Sequence, residues 1–165
     1  VPSQELINSV YASQRIANSG LGFVGQTTRT TNQTFAATET VIITSPSVTF
    51  YTGRAYKVTV WGLHSAGTDS YALYRIRKGN TNTGTVYKDT IRVNNAQASG
   101  AAVAVNFSTI LTNITGANIT TAISLLGLQG AVAQTWTWTA DAADVSYLLI
   151  EDCGSTALYS GQPIS

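Results

Sequence analysis

From Gly20 to Gly154 the chain alternates apolar and polar residues with a period of two, in short runs parted by turn residues. That period puts alternate side chains on opposite faces of an extended strand, and no segment here sustains the 3.6-residue period of a helix. Phe50 and Thr52, then Tyr56, Val58 and Val60, alternate with Tyr51, Lys57, Thr59 and Trp61, and Thr52-Gly53 marks a turn, so two strands in a hairpin-like connection are expected. Further strands are expected over Phe23 to Thr30, Thr40 to Thr44, Ser70 to Lys78, Gly84 to Val93, Ala102 to Ser108, Ile119 to Leu126, Val132 to Ala140 and Val145 to Asp152. Lys78-Gly79-Asn80, Asn94-Asn95-Ala96, Asn113 to Gly116, Gly127 to Gly130 and Asp141 to Asp144 separate them. This spacing predicts an all-β, antiparallel, jelly-roll-like sandwich of about eight to ten strands.

The inward-facing sets read as Val103, Val105 and Phe107; Val132, Trp136 and Trp138; and Val145, Tyr147 and Leu149. Leu148 and Ile150 make the other face of the last strand apolar too, which marks a central strand or an intersubunit contact. Composition agrees: 25 Thr, 15 Ser and 10 Asn make up about 30% of the chain, with 14 Gly. Thr favours extended backbone, and Ser, Asn and Gly favour turns.

Residues 3 to 19 break the pattern. Ser3 caps a predicted helix from Gln4 to about Asn18, with Leu6, Ile7, Val10 and Tyr11 on one stripe and Ser19-Gly20 as the stop. A lone helix of this length is marginal in water, so the stripe must dock, on its own β body or as an arm on a neighbouring subunit. The organisation expected is an N-terminal helical arm over 1–20, a β-sandwich domain over 21–154 and a C-terminal tail over 155–165, itself a candidate second docking tail.

Only 10% of residues are charged, and nine Lys+Arg face eight Asp+Glu for a net charge of +1. That gives no basic field for nucleic acid or for an anionic membrane. A neutral surface favours association, so cover by other subunits is expected. One Cys, Cys153, and one His, His64, supply neither an internal disulfide nor a zinc set. Neither a membrane span nor a signal peptide is expected, and no cofactor or metal is implied.

The candidate chemistries each meet a plainer alternative. Gly20 to Gly25 matches GxGxxG but follows a helix and opens a strand, the reverse of a dinucleotide site, so a hinge is expected. His64-Ser65 lacks the preceding Gly of a nucleophile elbow and reads as loop after a strand, with Asp69 the nearest acid. Asp141 and Asp144 flank a turn that their carboxylates would stabilise, and Glu151-Asp152 at a strand end fits an ion pair with Arg75 or Arg77. Arg75 and Arg77 share a strand face, and with Lys88 and Arg92 form a possible basic contact stripe that needs acids or an acidic partner. Trp136-Thr137-Trp138 reads first as core and second as a sugar-stacking platform. No enzyme is expected from this set.

Three stretches together carry a resemblance: Val24-Gly25-Gln26-Thr27-Thr28-Arg29-Thr30-Thr31-Asn32; Tyr56-Lys57-Val58-Thr59-Val60 with Tyr74-Arg75-Ile76-Arg77-Lys78-Gly79; and the ending Tyr147-Leu148-Leu149-Ile150-Glu151-Asp152-Cys153-Gly154. Over roughly residues 22 to 154 the chain resembles small virion surface proteins of tailed bacteriophages of actinobacteria, either capsid decoration or minor tail proteins. The resemblance implies a β sandwich or jelly roll, often a homotrimer, attached by a terminal arm to the major capsid protein or to tail proteins. It implies a location in the virion, the capsid surface before the tail. A tail-borne module that recognises a host glycan is the alternative.

Overall fold

The computed structural model describes residues 21–66, 70–95, 100–131 and 133–165. The predicted helical arm, with Leu6, Ile7, Val10 and Tyr11, lies outside the described residues, as do Asp69 and Val132.

Eight principal strands build the body: β1 (Gly22–Arg29), β3 (Thr40–Thr44), β5 (Arg54–Ala66), β6 (Ser70–Lys78), β7 (Val86–Asn95), β8 (Val103–Thr112), β10 (Ile123–Gln129) and β12 (Ser146–Ser155). Five short ones join them: β2 (Gln33–Phe35), β4 (Val48–Phe50), β9 (Ile119–Thr121), β11 (Trp136–Thr139) and β13 (Gln162–Pro163). One sheet runs β1-β12-β5-β8 through the principal strands, and the facing sheet runs β3-β10-β6-β7. Counted along the chain among the eight, those orders are 1-8-3-6 and 2-7-4-5, the interleaved double sheet of a jelly roll.

The longest strand, β5, organises the larger sheet. It pairs with β8 along one edge and with β12 and then β11 along the other, all antiparallel. Tyr56, Val58, Val60 and His64 point inward and are buried, while Lys57, Thr59, Trp61, Leu63 and Ser65 point outward and are half-buried. Gly62 occupies the inward position where β5 meets Trp138: a Cβ there would stand 2.1 Å from the Trp138 ring. Only glycine fits beneath that indole, whose Nε1 donates to Ser146 Oγ at 2.9 Å.

The core between the sheets is filled by Tyr56, Val58, Val60, Val105, Leu148 and Ile150 from one side and Tyr74, Ile76, Ile123 and Leu125 from the other. Each such aliphatic side chain taken from water contributes about 1.5–3 kcal/mol. Trp136 and Trp138 are both fully buried in it.

Three expectations are corrected. The Gly53 turn is real, with φ at +73°, but the strands it joins do not form a hairpin: β4 pairs with β9, and β5 enters the larger sheet. A turn reverses the chain without choosing its partner. On β12 the core face is Ser146, Leu148, Ile150 and Asp152, while Tyr147 and Leu149 face outward and Val145 precedes the strand. With apolar residues on both faces, alternation alone carried no preference. The strand is central, between β1 and β5, as its two apolar faces suggested. Finally, β2 and β13 were absent from the expected strands, each being only two or three residues long.

Candidate functional site

The sequence's candidate groups separate in space. His64 lies inside β5 rather than in a loop, so it and Ser65 point to opposite faces of the sheet and cannot act as a pair. His64 is fully buried, with Nδ1 2.7 Å from the Tyr74 hydroxyl and its ring tilted against Trp136 at a 5.0 Å centroid distance. Burial lowers its pKa to about 4 and pushes the Tyr74 phenol well above its ordinary value. At neutral pH the imidazole is an uncharged core group. Gly22 and Gly25 lie within β1, and no helix follows them, which removes the geometry of a dinucleotide loop.

The acidic residues are structural. Asp141 Oδ1 accepts from the Ala143 and Asp144 amides at 2.7 and 2.8 Å, closing the expected turn, and those bonds hold its pKa below the usual carboxylate value. Asp152 pairs with Arg54 rather than with Arg75 or Arg77, in a two-pronged contact of 2.8 and 2.9 Å, and also accepts from the Gly154 amide. The pair ties the beginning of β5 to the end of β12.

The expected basic stripe is divided. Glu39, at the entry to β3, accepts from Arg77 at 2.7 and 3.0 Å and from Arg75 at 3.4 Å, and Arg75 also reaches Asp89 at 2.6 Å. Arg92 lies over the Tyr71 ring at 3.7 Å, and Lys88 is exposed on β7. These charges, with a β7 bulge opposite Tyr74 to Arg77, blunt an exposed sheet edge against unwanted pairing. Trp136 and Trp138 are core, so neither offers a ring to a sugar. A shallow cavity of about 400 Å³ at the β2–β3 corner is lined by Thr34, Phe35, Ala36, Ala37, Thr38, Thr40 and Thr135, with no ionisable side chain among them. No group of metal-ligating side chains gathers among the described residues.

What does gather is apolar surface. Of the seven large hydrophobic side chains exposed among the described residues, Leu21, Phe23, Tyr51, Ile114, Leu158 and Tyr159 belong to one end of the sandwich. The pairing establishes this. Gly22 and Phe23 sit opposite Asp152 and Glu151; Ser155 sits opposite Arg54; and the Gly53 amide donates to the Asn113 carbonyl at 2.7 Å. The 3-10 turn Thr156–Leu158 is pinned there by the Thr156 amide donating to the Gly53 carbonyl at 2.9 Å. Phe23 is 70% exposed and Leu158 79%. Single exposed hydrophobics are ordinary, but a cluster of this kind marks an interaction surface.

A second feature lies on the outer face of the larger sheet. Trp61 on β5 and Tyr147 on β12 are cross-strand partners whose rings stack at 6.0 Å and 15°, flanked by Leu63 and Leu149. The sequence reading missed both features. The outward phase of Trp61 was legible in its alternation with Val60, whereas the clustered end is assembled from four separate parts of the chain.

No protein-family model matches the chain, and no curated protein matches it. Among solved structures it is similar to "Structure of infectious bursal disease virus Gt strain", at 10% identity and TM-score 0.45, over 84% of this chain and 33% of that one. It is also similar to the disulfide-linked pili of Bacillus endospore appendages, at 18% identity and TM-score 0.37, over 80% and 90% of the two chains. A third similarity is to a CBM4 structure, at 11% identity and TM-score 0.38, over 73% and 86%. The chain spans about a third of the length of the viral chain.

Proposed function

We propose that this chain is a non-enzymatic structural protein of a bacteriophage virion, a capsid decoration protein that binds the assembled shell of the major capsid protein and its own copies, as a homotrimer. The observation that carries the reading is the apolar end, where Phe23, Leu158 and four further large side chains stand in water. The predicted arm carrying Leu6, Ile7, Val10 and Tyr11 precedes Leu21, one of these side chains, in the sequence. Apolar burial is the attaching force such a surface supplies, at about 25 cal/mol per Å² removed from water. The low charge content and the sequence resemblance point the same way. No nucleic acid, membrane or cofactor takes part.

Co-sedimentation with undecorated phage capsids tests the reading. The chain saturates capsids at a fixed ratio, and Leu6→Asp with Val10→Asp abolishes attachment while leaving the β body folded. Attachment retained by that double variant removes the arm from the mechanism.

One observation favours a second reading, a tail-borne carbohydrate-binding module: the half-buried Trp61–Tyr147 stack offers aromatic rings at the surface. Saturable binding to host cell-wall polysaccharide, lost in Trp61→Ala, would favour it over capsid attachment.

A further inference from the structure

Residues 156–165 leave β12 and cross an open side of the sandwich, where β8 edges the larger sheet and β7 the smaller, and β13 touches both. Ala157 to Pro163 are exposed at every position, and then Ile164 is fully buried. Its side chain belongs to the same core cluster as Leu111 on β8 and Tyr87 on β7. The Ile164 amide donates to the Thr112 carbonyl at 2.9 Å, and Thr112 Oγ1 donates to the Gln162 carbonyl at 3.5 Å. Lys78 Nζ and the Tyr87 hydroxyl both donate to the backbone oxygen of Ser165, the hydroxyl at 3.4 Å. One apolar anchor seated between two sheets, with backbone bonds to a strand edge, is how an extended peptide docks by strand addition.

Two features set this segment apart from the body that holds it. β13 and β8 are parallel, whereas every other strand pair among the described residues is antiparallel, so the segment is added to the jelly roll rather than wound into it. The stretch that leads to it carries Leu158 and Tyr159, which stand exposed within a single copy.

We propose that this socket takes residues 162–165 from a second copy of the chain, so that neighbouring copies exchange the segment. The proposal rests on the reading that copies of the chain associate. Every contact of Gln162 to Ser165 is the same in either arrangement, so the difference between the two lies in the stretch that leads there. Drawn out, Ala157 to Gly161 reach about 17 Å, enough to pass from one copy to another that touches it. On that route Leu158 and Tyr159 lie in the junction and leave water, which favours exchange. The socket also selects its occupant. A Cβ at Gly161 would stand 2.6 Å from the Ile110 carbonyl oxygen, so the incoming strand must carry glycine three residues before its apolar anchor, as another copy of this chain does. Exchange from each copy to the next is head-to-tail and closes into a ring, the symmetry of a trimer.

The test uses the full chain without capsids. In a Cys153→Ser background, one preparation carries Pro163→Cys and a second carries Thr112→Cys, two positions directly opposed in the β13–β8 pair. The preparations are mixed and oxidised with diamide, and a 163–112 disulfide, identified by mass, can then form only between copies. That product is expected, and its yield should fall about tenfold when Ile164→Asp is added to the Pro163→Cys chain, because a charge replaces the buried anchor. Absence of the product, or a yield that Ile164→Asp leaves unchanged, overturns the proposal.

A second variant does not depend on the anchor substitution. With Pro163→Cys and Thr112→Cys in the same chain, oxidation should give covalent oligomers on a non-reducing gel. Bridging at monomer mass alone means that each copy keeps its own segment, and overturns exchange. Sedimentation velocity of the unsubstituted chain separates the two possible failures. A discrete oligomer without bridges between copies retains their association and removes the exchange, whereas a monomer at every concentration removes both.

Discussion

His64 shows how a residue type that suggests chemistry can serve packing instead. Its imidazole is held neutral in the core, with a folded pKa of about 4 against an ordinary 6.5. Between those values the unfolded chain binds a proton that the folded chain refuses, so stability falls as pH drops from about 6.5 toward about 4. One such group costs about 2 kcal/mol between pH 7 and pH 5. Urea unfolding at the two pH values measures it, and His64→Gln, which keeps a partner for the Tyr74 hydroxyl, should remove most of the difference. An undiminished pH dependence in that variant would place the titration elsewhere. Gly62 is the complementary case, a position that space alone decides. Gly62→Ala forces a Cβ against the Trp138 ring and should lower stability by about 3 kcal/mol, read as a fall in the urea midpoint at unchanged slope.

At the scale of elements, legibility followed the strength of the alternation. β3 and β6 were expected over Thr40 to Thr44 and Ser70 to Lys78, their observed bounds; β6 is closed by the Lys78-Gly79-Asn80 turn and β3 is followed by Ser45-Pro46-Ser47. β12 was located within three residues at its ends but turned inside out, since Tyr147 and Leu149 are as apolar as Leu148 and Ile150. Pairing partners were not legible. The Arg54–Asp152 ion pair joins residues 98 apart, and only the adjacency of β5 and β12 creates it. Asp152 is 5% exposed at its side chain and Arg54 16%. Asp152→Asn removes the carboxylate charge that faces the Arg54 guanidinium, and should cost about 3 kcal/mol of unfolding free energy in a urea titration. A loss below about 0.5 kcal/mol would mean that solvent replaces the carboxylate, as at exposed pairs.

At the scale of the whole molecule, the jelly roll followed from composition and spacing, and its functional surface did not. The apolar end draws on residues around positions 21, 51, 114 and 158, and no window of sequence contains more than one of these groups. Bringing them together takes the register of β1 with β12, of β5 with β12 and of β5 with β8. Phe23→Asp with Leu158→Asp places two charges on that end without touching the core, so the fold should persist while binding weakens. The most direct measurement is co-sedimentation of the purified chain with undecorated phage capsids, over rising concentration, beside this end-charged variant. Capsid attachment predicts saturation at a fixed ratio for the native chain and at least a tenfold loss of affinity for the variant. A folded native chain that stays in the supernatant at every concentration, or a variant that binds as the native chain does, would contradict it.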